Sequence, residues 1–383
     1  MRRVNVRRWV CFIALFLGVS LKAQAQAQAQ AQSWSFTGSM GTQRAFFTAT
    51  VLNNGEVLVA GGRDRGLYGI PSAELYNPST GTFNLTGNLN TGRANFTATH
   101  LNNGKVLIAG GDAYIFMPTG TQHVCYSSAE LYDPTTGKFT VTGSMHAERC
   151  SYLTPGFTAT LLNNGQVLIA GGADTNGLIP AAELYDPSTG TFSLTGSLNT
   201  PRLGHTATLL PNGEALIAGG VNSAGNYLAS AELYNPVTGT FTVTGSMKTS
   251  RELFTATLLD NGEVLAAGGQ NSNAIAPFLS SAEIYNPSTG KWTSTGSLNA
   301  GRYNHTATLL SNGEVLIAGG GAHLASTELY NPATGKFSLA ANLNTGRTDH
   351  SAVLLGNGEA MVVGGYDGSG GNIGYLSSAE LFH

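Results

Sequence analysis

Apolar and polar residues follow one four-part pattern that recurs along residues 33–383. A segment such as FTATVL alternates in polarity, and after an Asn-Gly pair comes an almost continuously apolar segment such as EVLIAGG. The third part is AELYNP, and the fourth alternates again, as in Phe83-Asn84-Leu85. Alternation predicts a half-buried strand, whereas a continuous apolar run predicts a strand covered on both faces. Asn-Gly and Pro-x-Thr-Gly favour tight turns, so we predict four antiparallel strands a, b, c and d.

The Gly-Gly pair that ends strand b marks each copy of this pattern. The pairs begin at Gly61, Gly110, Gly171, Gly219, Gly268, Gly319 and Gly364. Seven four-stranded units, none able to bury both faces alone, predict an all-β, seven-bladed β-propeller. The last repeat stops after strand c, while Trp34-Ser35-Phe36 resembles a strand d. We therefore predict that the N-terminal strand completes the last blade and removes its open edge.

The first 32 residues have a different composition. Basic residues precede an apolar run from Trp9 to Val19, which is shorter than the ~20 residues a membrane helix needs. This layout predicts a signal peptide over residues 1–25, and tandem Ala-Gln pairs predict a low-complexity linker over 26–32. Arg7-Arg8 leaves twin-arginine export open as the alternative route. We expect a secreted or periplasmic propeller over 33–383, with no membrane span after cleavage.

Composition narrows the possible partners. Charged residues make up 11% of the chain and the formal net charge is −3. Without a basic excess, nucleic acids and anionic membrane surfaces are not expected to bind. The sequence contains no P-loop, dinucleotide fingerprint, zinc-ligand spacing or nucleophile elbow. We therefore expect neither a cofactor nor a bound metal. We also expect the protein to be a monomer.

The repeats resemble the kelch motif, in which a Gly-Gly pair after an apolar strand is followed by two aromatic residues on the next strands. The resemblance covers residues 33–383 and implies a propeller of the kelch and galactose-oxidase type. Strand d usually begins with Phe here, as at Phe83, where kelch repeats carry Trp; only Trp34 and Trp292 match. Because kelch propellers include protein-binding modules, oxidases and sugar epimerases, the resemblance does not name an activity.

Two charged residue types recur in register and predict one structural ion pair per blade. The arginines before strand a are Arg44, Arg93, Arg202, Arg251, Arg302 and Arg347, with Arg149 as the displaced seventh. The glutamates on strand c are Glu74, Glu130, Glu183, Glu232, Glu283, Glu328 and Glu380. The alternative is an arginine ring that binds an anionic ligand, as the resemblance to some kelch propellers implies.

Histidines and aromatic residues also recur in columns. His205, His305 and His350 occupy the strand a column that holds phenylalanine in the other blades. Three histidines near an axis could bind a metal. A column that accepts both His and Phe is more simply a packing position, and this is our prediction. The strand c tyrosines are predicted to be core residues.

Sequence variation is concentrated in the b–c and d–a loops, which antiparallel order places on one face. Function is expected where the scaffold allows the chain to vary. The blade-two loop, Asp112 to Ser128, and the insertion Glu148 to Phe157 are the longest departures from the repeat. Aromatic side chains with polar neighbours suit a glycan or an extended peptide. The candidate ligand-binding residues are Arg63, Arg65, Tyr68, Tyr114, Phe116, His123, Tyr126, Arg149, Tyr152, Tyr366, Asp367 and Tyr375.

The cysteines Cys125 and Cys150 lie in those two neighbouring departures. In an oxidising compartment they predict a disulfide, and the alternative is two unpaired buried thiols. Our functional hypothesis is an exported, non-catalytic binding module for a polysaccharide or a protein, with no catalytic residues assigned. The alternatives are a sugar epimerase or mutarotase and a copper-radical oxidase. The oxidase would need a free cysteine beside a tyrosine.

Overall fold

Seven four-stranded antiparallel sheets form a ring in the computed structural model of this protein. The structure describes residues 32–66, 68–117, 120–150, 156–271, 278–369 and 374–383. The described strands, in chain order, are β1 Trp34–Phe36, β2 Thr48–Val51, β3 Val57–Ala60, β4 Ala73–Asn77, β5 Thr82–Leu85, β6 Thr97–His100, β7 Val106–Ala109, β8 Asp112–Met117, β9 Gly120–Cys125, β10 Ala129–Asp133, β11 Lys138–Val141, β12 Phe157–Leu161, β13 Val167–Gly171, β14 Ala173–Asp174, β15 Gly177–Leu178, β16 Ala181–Asp186, β17 Thr191–Ser197, β18 Thr206–Leu209, β19 Ala215–Ala218, β20 Ala231–Asn235, β21 Thr240–Thr244, β22 Thr255–Leu258, β23 Val264–Ala267, β24 Ala282–Asn286, β25 Lys291–Ser294, β26 Thr306–Leu309, β27 Val315–Ala318, β28 Thr327–Asn331, β29 Lys336–Leu339, β30 Ser351–Leu354, β31 Ala360–Val363 and β32 Ala379–Phe382.

The predicted seven-bladed propeller is confirmed. Blades one to six are β2-β3-β4-β5, β6-β7-β10-β11, β12-β13-β16-β17, β18-β19-β20-β21, β22-β23-β24-β25 and β26-β27-β28-β29. The inner strands β2, β6, β12, β18, β22, β26 and β30 each contact the next around a closed ring. Two further hairpins, β8-β9 and β14-β15, stand in the b–c loops of blades two and three.

Blade seven contains both the first and the last described strand, as predicted. Its order is β1-β32-β31-β30, and Trp34 pairs with Phe382 in register. The aromatic side chains of Trp34 and Phe382 also pack together, with their ring centroids 5.2 Å apart. The N-terminal strand therefore supplies the outer strand of the last blade and covers its edge.

The core lies between blades, which explains the continuously apolar strand b. In β3, Leu58 and Ala60 pack against blade two, while Val57 and Val59 pack against blade seven. All four residues are buried. Each of the seven core clusters joins two neighbouring blades in this way. Consequently, an isolated blade would expose an apolar face on each side.

The Gly-Gly pair allows adjacent blades to approach closely. Gly61 and Gly62 both have positive φ, at 63° and 96°. A Cβ atom on Gly61 would lie 2.6 Å from the Phe96 ring and 2.7 Å from the Arg93 carbonyl oxygen. These contacts leave no room for a side chain, so the repeated glycine follows from interblade packing as well as from backbone conformation.

Candidate functional site

The arginine and glutamate columns form an ion pair in each of the seven blades. The guanidinium nitrogen and the carboxylate oxygen are 2.6 to 3.1 Å apart, and every arginine of the column is fully buried. In blade six, Arg302 also donates to the carbonyl oxygens of Gly319 and Ser326, each at 2.9 Å. Glu328 accepts the backbone N–H groups of Asn299 and Ala300 at 2.7 and 3.2 Å. Each pair thus ties strand c to the preceding d–a segment.

The predicted disulfide Cys125–Cys150 is confirmed. It joins the end of β9 to the residue that follows Arg149, and Cys150 itself pairs with Ala173 across a short antiparallel bridge. Both cysteines are buried. The hairpin of blade two is therefore covalently attached to the entry of blade three.

Asp112 organises the polar residues beneath this hairpin. Its carboxylate is fully buried and accepts hydrogen bonds from Arg63 at 2.6 Å and from Asn95 at 3.2 Å. The Nε2 atom of His123 lies 2.9 Å from the second carboxylate oxygen. One carboxylate thus connects the blade-one loop, the entry to blade two and the hairpin. Sequence reasoning missed this role, although an aspartate directly after a Gly-Gly pair occurs in this blade alone.

Two arginines from the candidate list lie beneath the protein surface. Arg63 is 4% exposed, is paired with Asp112, and its guanidinium carbon lies 5.1 Å from the Tyr114 ring centroid. Arg149 is fully buried and pairs with Glu183 at 2.9 Å. Both guanidinium groups are thus engaged in buried ion pairs, whereas the sequence predicts them as candidates for ligand contact.

Several other candidate ligand-binding residues lie at or near the protein surface around the β8-β9 hairpin. Arg65 and Tyr68 are exposed, and Tyr68 is bridged to Tyr114 of the hairpin. Tyr114 packs against His123, with ring centroids 5.0 Å apart. Tyr126 is half-buried over the guanidinium group of Arg93 at 5.1 Å, and burial raises its pKa.

The blade-seven candidates form a second group. Tyr366 packs edge-on against the buried Tyr375 at 5.7 Å, and Asp367 lies half-buried beside them. Burial raises the pKa of Tyr375, while Arg63 of blade one acts in the opposite direction. The loops of blades seven, one and two therefore lie next to one another. Tyr152 and the side chain of Phe116 lie outside the described part of the chain.

A pocket of about 240 Å³ opens where the inner strands begin, at the propeller axis. Its rim consists of residues two places after the column arginines, and Phe46, Asn95, Gly204, Leu253, Asn304 and Asp349 all line it. All six have positive φ, between 48° and 66°. Backbone hydrogen bonds pass from blade to blade along this rim, including Phe46 N–H to Asp349 and Asn304 N–H to Leu253.

Asp349 is the carboxyl group among the residues that line this axial pocket. It accepts a hydrogen bond from the Asn304 side-chain amide at 2.7 Å. Desolvation raises its pKa to about 7, although hydrogen bonds from Thr348 and Asn304 oppose the rise. Asp349 can therefore donate or accept a proton near neutral pH.

The axial pocket was not predicted from the sequence. The detectable signal is variation: the rim position carries Phe, Asn, Gly, Leu or Asp, whereas the next position holds only Phe or His. Such variation within an otherwise uniform motif indicates a position that the scaffold does not determine.

The histidine column forms the walls below the rim. The Nε2 atoms of His205, His305 and His350 lie 3.0 to 3.1 Å from threonine hydroxyl groups of the preceding blade. Burial lowers the pKa of His205 and His305 to about 3, so both are neutral at ordinary pH. Their rings pack on the first glycine of the preceding blade, as phenylalanine does elsewhere.

Among the described residues, the cysteines that the oxidase alternative would need are bonded to each other. Within the described ranges, no three His, Cys, Asp or Glu residues are grouped so as to hold a metal ion. The disulfide also occupies both Cys125 and Cys150, so neither sulfur is free to bond to a tyrosine.

Comparison with known proteins supports the architecture. The Kelch motif model matches residues 202–248 and 254–299. A fungal alcohol oxidase of the AA5 family, solved in complex with copper, has a TM-score of 0.70 and 16% identity, over 92% of this chain and 76% of that one. The structure of YjhT has a TM-score of 0.60 and 13% identity, over 79% of this chain and 98% of that one. No curated protein matches the sequence. At these identities the solved structures show a shared fold.

Proposed function

We propose that this seven-bladed propeller, which contains kelch motifs, is an exported, non-catalytic binding module that recognises a polysaccharide or a protein through its loop face. We define the loop face as the b–c loops, the d–a segments and the axial pocket. The observation that carries the proposal is the construction of this face. This face carries exposed and half-buried aromatic side chains as well as a pocket, and a buried hub at Asp112 together with a disulfide holds its β8-β9 hairpin in place.

Rigid support favours binding. A surface that is already ordered loses little conformational entropy when a ligand docks. Asp112 and the Cys125–Cys150 bond both hold the β8-β9 hairpin, which carries Tyr114. The hairpin in turn presents Tyr114 beside Tyr68 of the neighbouring loop. Neighbouring tyrosines of this kind give a large contact area with few rotatable bonds.

The two enzymatic alternatives find less support. The oxidase alternative lacks a free cysteine among Cys125 and Cys150. An epimerase or mutarotase for acidic sugars would need arginines for the sugar carboxylate, yet the seven column arginines are fully buried against glutamates. Asp349 could move a proton, but the three histidines that line the same pocket are buried and have their Nε2 atoms at hydrogen-bond distance from threonine hydroxyl groups.

Export is part of the proposal. A buried disulfide fits an oxidising compartment such as the periplasm or the cell exterior. In the described residues no helix is long and apolar enough to cross a membrane. The proposed signal peptide, residues 1–25, and linker, 26–32, precede the propeller in the sequence.

The proposal is tested with a thermal-shift screen of the purified protein against neutral and acidic glycans, followed by affinity capture from envelope extracts. A ligand at 100 times its dissociation constant stabilises the fold by about 2.7 kcal/mol, which such a screen detects. We expect Tyr114→Ala or Tyr126→Ala to reduce the shift or the capture. Val237→Ala is the control, because Val237 is 92% exposed in a c–d turn on the opposite face. Binding that no substitution on the loop face weakens, including substitutions in the axial pocket, would refute the proposal.

A further inference from the structure

We infer that the axial pocket binds one terminal, uncharged sugar ring of a glycan, with Phe46 beneath the ring and the Asn304–Asp349 pair at its hydroxyl groups. This inference rests on the proposed function, since it names the ligand class and the part of the ligand that the loop face recognises. It concerns residues that come from separate repeats and are adjacent only at the axis.

Size is the first argument. The pocket measures about 240 Å³. Pockets for drug-sized ligands usually measure about 300–1,000 Å³, so this one accommodates a single small ring rather than a chain. Phe47, Phe96 and Phe254 line it together with the three column histidines, and all six side chains are buried. A polymer could therefore place one end in the pocket while its remainder lies on the loop face.

Chemistry is the second argument. Phe46 and Leu253 give the rim apolar surface, whereas Asn304 and Asp349 offer an amide and a carboxyl group already joined at 2.7 Å. Asp349 and Phe46 are neighbours along the rim, because the Phe46 N–H group donates to the Asp349 carbonyl oxygen. A sugar ring has the same division, with an apolar face and a rim of hydroxyl groups. An aromatic face beside hydrogen-bonding groups is complementary to that division.

Backbone conformation is the third argument. Phe46 and Leu253 have φ values of 58° and 53°, in the left-handed region. Such a conformation is unfavourable for a residue with a Cβ atom. The equivalent residue of blade four is Gly204, at φ 66°, so the fold is satisfied by glycine at this position. Phe46 and Leu253 therefore occupy this position although its backbone conformation favours glycine, and such strain is common at functional sites.

Charge is the fourth argument. The lining residues include Asp349 and no lysine or arginine among the described residues. A carboxylate on the ligand would meet no exposed cation there and would be repelled by Asp349 once that group ionises. Acidic sugars are thus disfavoured, and an uncharged ring is favoured.

Stoichiometry distinguishes binding at a chain end from binding along a chain. The probes are neutral oligosaccharides of one sugar, such as β-glucan, xylan or chitin oligomers, each compared with a longer polymer of the same sugar. Isothermal titration should give one protein per chain end and similar affinities for the tetramer and the polymer. Several proteins per polymer chain, or affinity that grows steadily with length, would overturn the inference.

Two variants alter the axial pocket without removing its polar groups. Phe46→Gly removes the apolar platform and places glycine, which tolerates positive φ, at a position with left-handed backbone conformation. Gly204→Leu fills the pocket and copies the residue of blade five. A Cβ atom on Gly204 would meet a Glu252 carboxylate oxygen at 3.1 Å, which a flexible side chain can relieve. We expect each variant to weaken oligosaccharide binding about tenfold or more, a factor typical of one lost favourable contact. Melting temperature and circular dichroism verify that both variants fold.

The outcomes separate this inference from the proposed function. If a neutral oligosaccharide binds and Phe46→Gly and Gly204→Leu both weaken it, the inference is supported. If binding depends on Tyr114 and not on these two positions, the loop-face function stands and the axial inference falls. If acidic glycans or a captured protein bind while neutral glycans do not, the inference again falls alone. If nothing binds the loop face, both fall.

Discussion

At the residue scale, positions at which one blade differs from the other six show which contacts the repeat requires. In six blades a strand c tyrosine hydroxyl bonds to a threonine of the preceding blade, as Tyr234 does to Thr195 at 2.9 Å. Blade seven has Phe382 instead of tyrosine, and the matching threonine position holds Ala340. Donor and acceptor are thus lost together, which avoids an unsatisfied buried hydroxyl.

The arginine–glutamate pairs lead to a prediction about stability. Arg302→Ala should lower the free energy of unfolding by about 3–5 kcal/mol, because it leaves a buried carboxylate without its cation. The double change Arg302→Met and Glu328→Leu should not restore stability. It also removes the partners of the Gly319 and Ser326 carbonyl groups and of the Asn299 and Ala300 amides. Urea unfolding monitored by fluorescence measures both effects.

An exposed pair provides the control for this experiment. Lys105 and Asp133 are 3.1 Å apart, but their side chains are 38% and 23% exposed. Lys105→Ala should change stability by about 0–1 kcal/mol, as is usual for surface ion pairs. Similar losses for Lys105→Ala and Arg302→Ala would contradict the structural role of the buried column.

At the element scale, the β8-β9 hairpin is the main departure from the repeat. It is held by Asp112 at its base, by the Tyr68–Tyr114 bridge to blade one and by the disulfide to blade three. Hairpins of two strands are marginal alone in water. Its order therefore depends on these attachments to three blades.

Removing the disulfide tests that dependence. The bond closes a loop with a sequence separation of 25 residues. A loop of this size corresponds to about 3–4 kcal/mol on the chain-entropy model, so Cys125→Ala with Cys150→Ala should lower stability by that order. Hydrogen exchange should increase most in β8 and β9, and little in blades four to six. Uniform exchange across all blades, or alkylation of both wild-type cysteines without reductant, would contradict the bond or its local role.

At the scale of the whole molecule, stability depends on closure of the ring. The core clusters lie between blades, so each blade needs both neighbours. The junction of the two chain ends is the strand pair β1-β32 in blade seven. Loss of that pairing would expose an edge strand as well as apolar surface.

Deletion of residues 33–38 tests this closure. It removes β1 and with it the packing of Trp34, which is 7% exposed, against Phe382. Trp34→Ala is the matched control, expected to cost about 3–5 kcal/mol through the lost side chain alone. The deletion should lower the melting temperature further and produce dimers through the free edge of β32, detected by light scattering. A deleted protein that stays monomeric and melts like the wild type would refute ring closure by β1.

Most of the fold follows from the sequence because its signals are local and repeated seven times. Apolar alternation, Asn-Gly turns and Gly-Gly pairs each lie within one repeat, so strands and blade number could be predicted, and the closing strand followed from the incomplete last repeat. The Cys125–Cys150 bond could also be predicted, since antiparallel order places both loops on one face. Tertiary structure alone decided the axial pocket and the burial of Arg63. The pocket residues belong to different repeats and become neighbours only when the ring closes. Burial of Arg63 depends on the β8-β9 hairpin and on the Asp112 carboxylate, whose pairing no local pattern specifies.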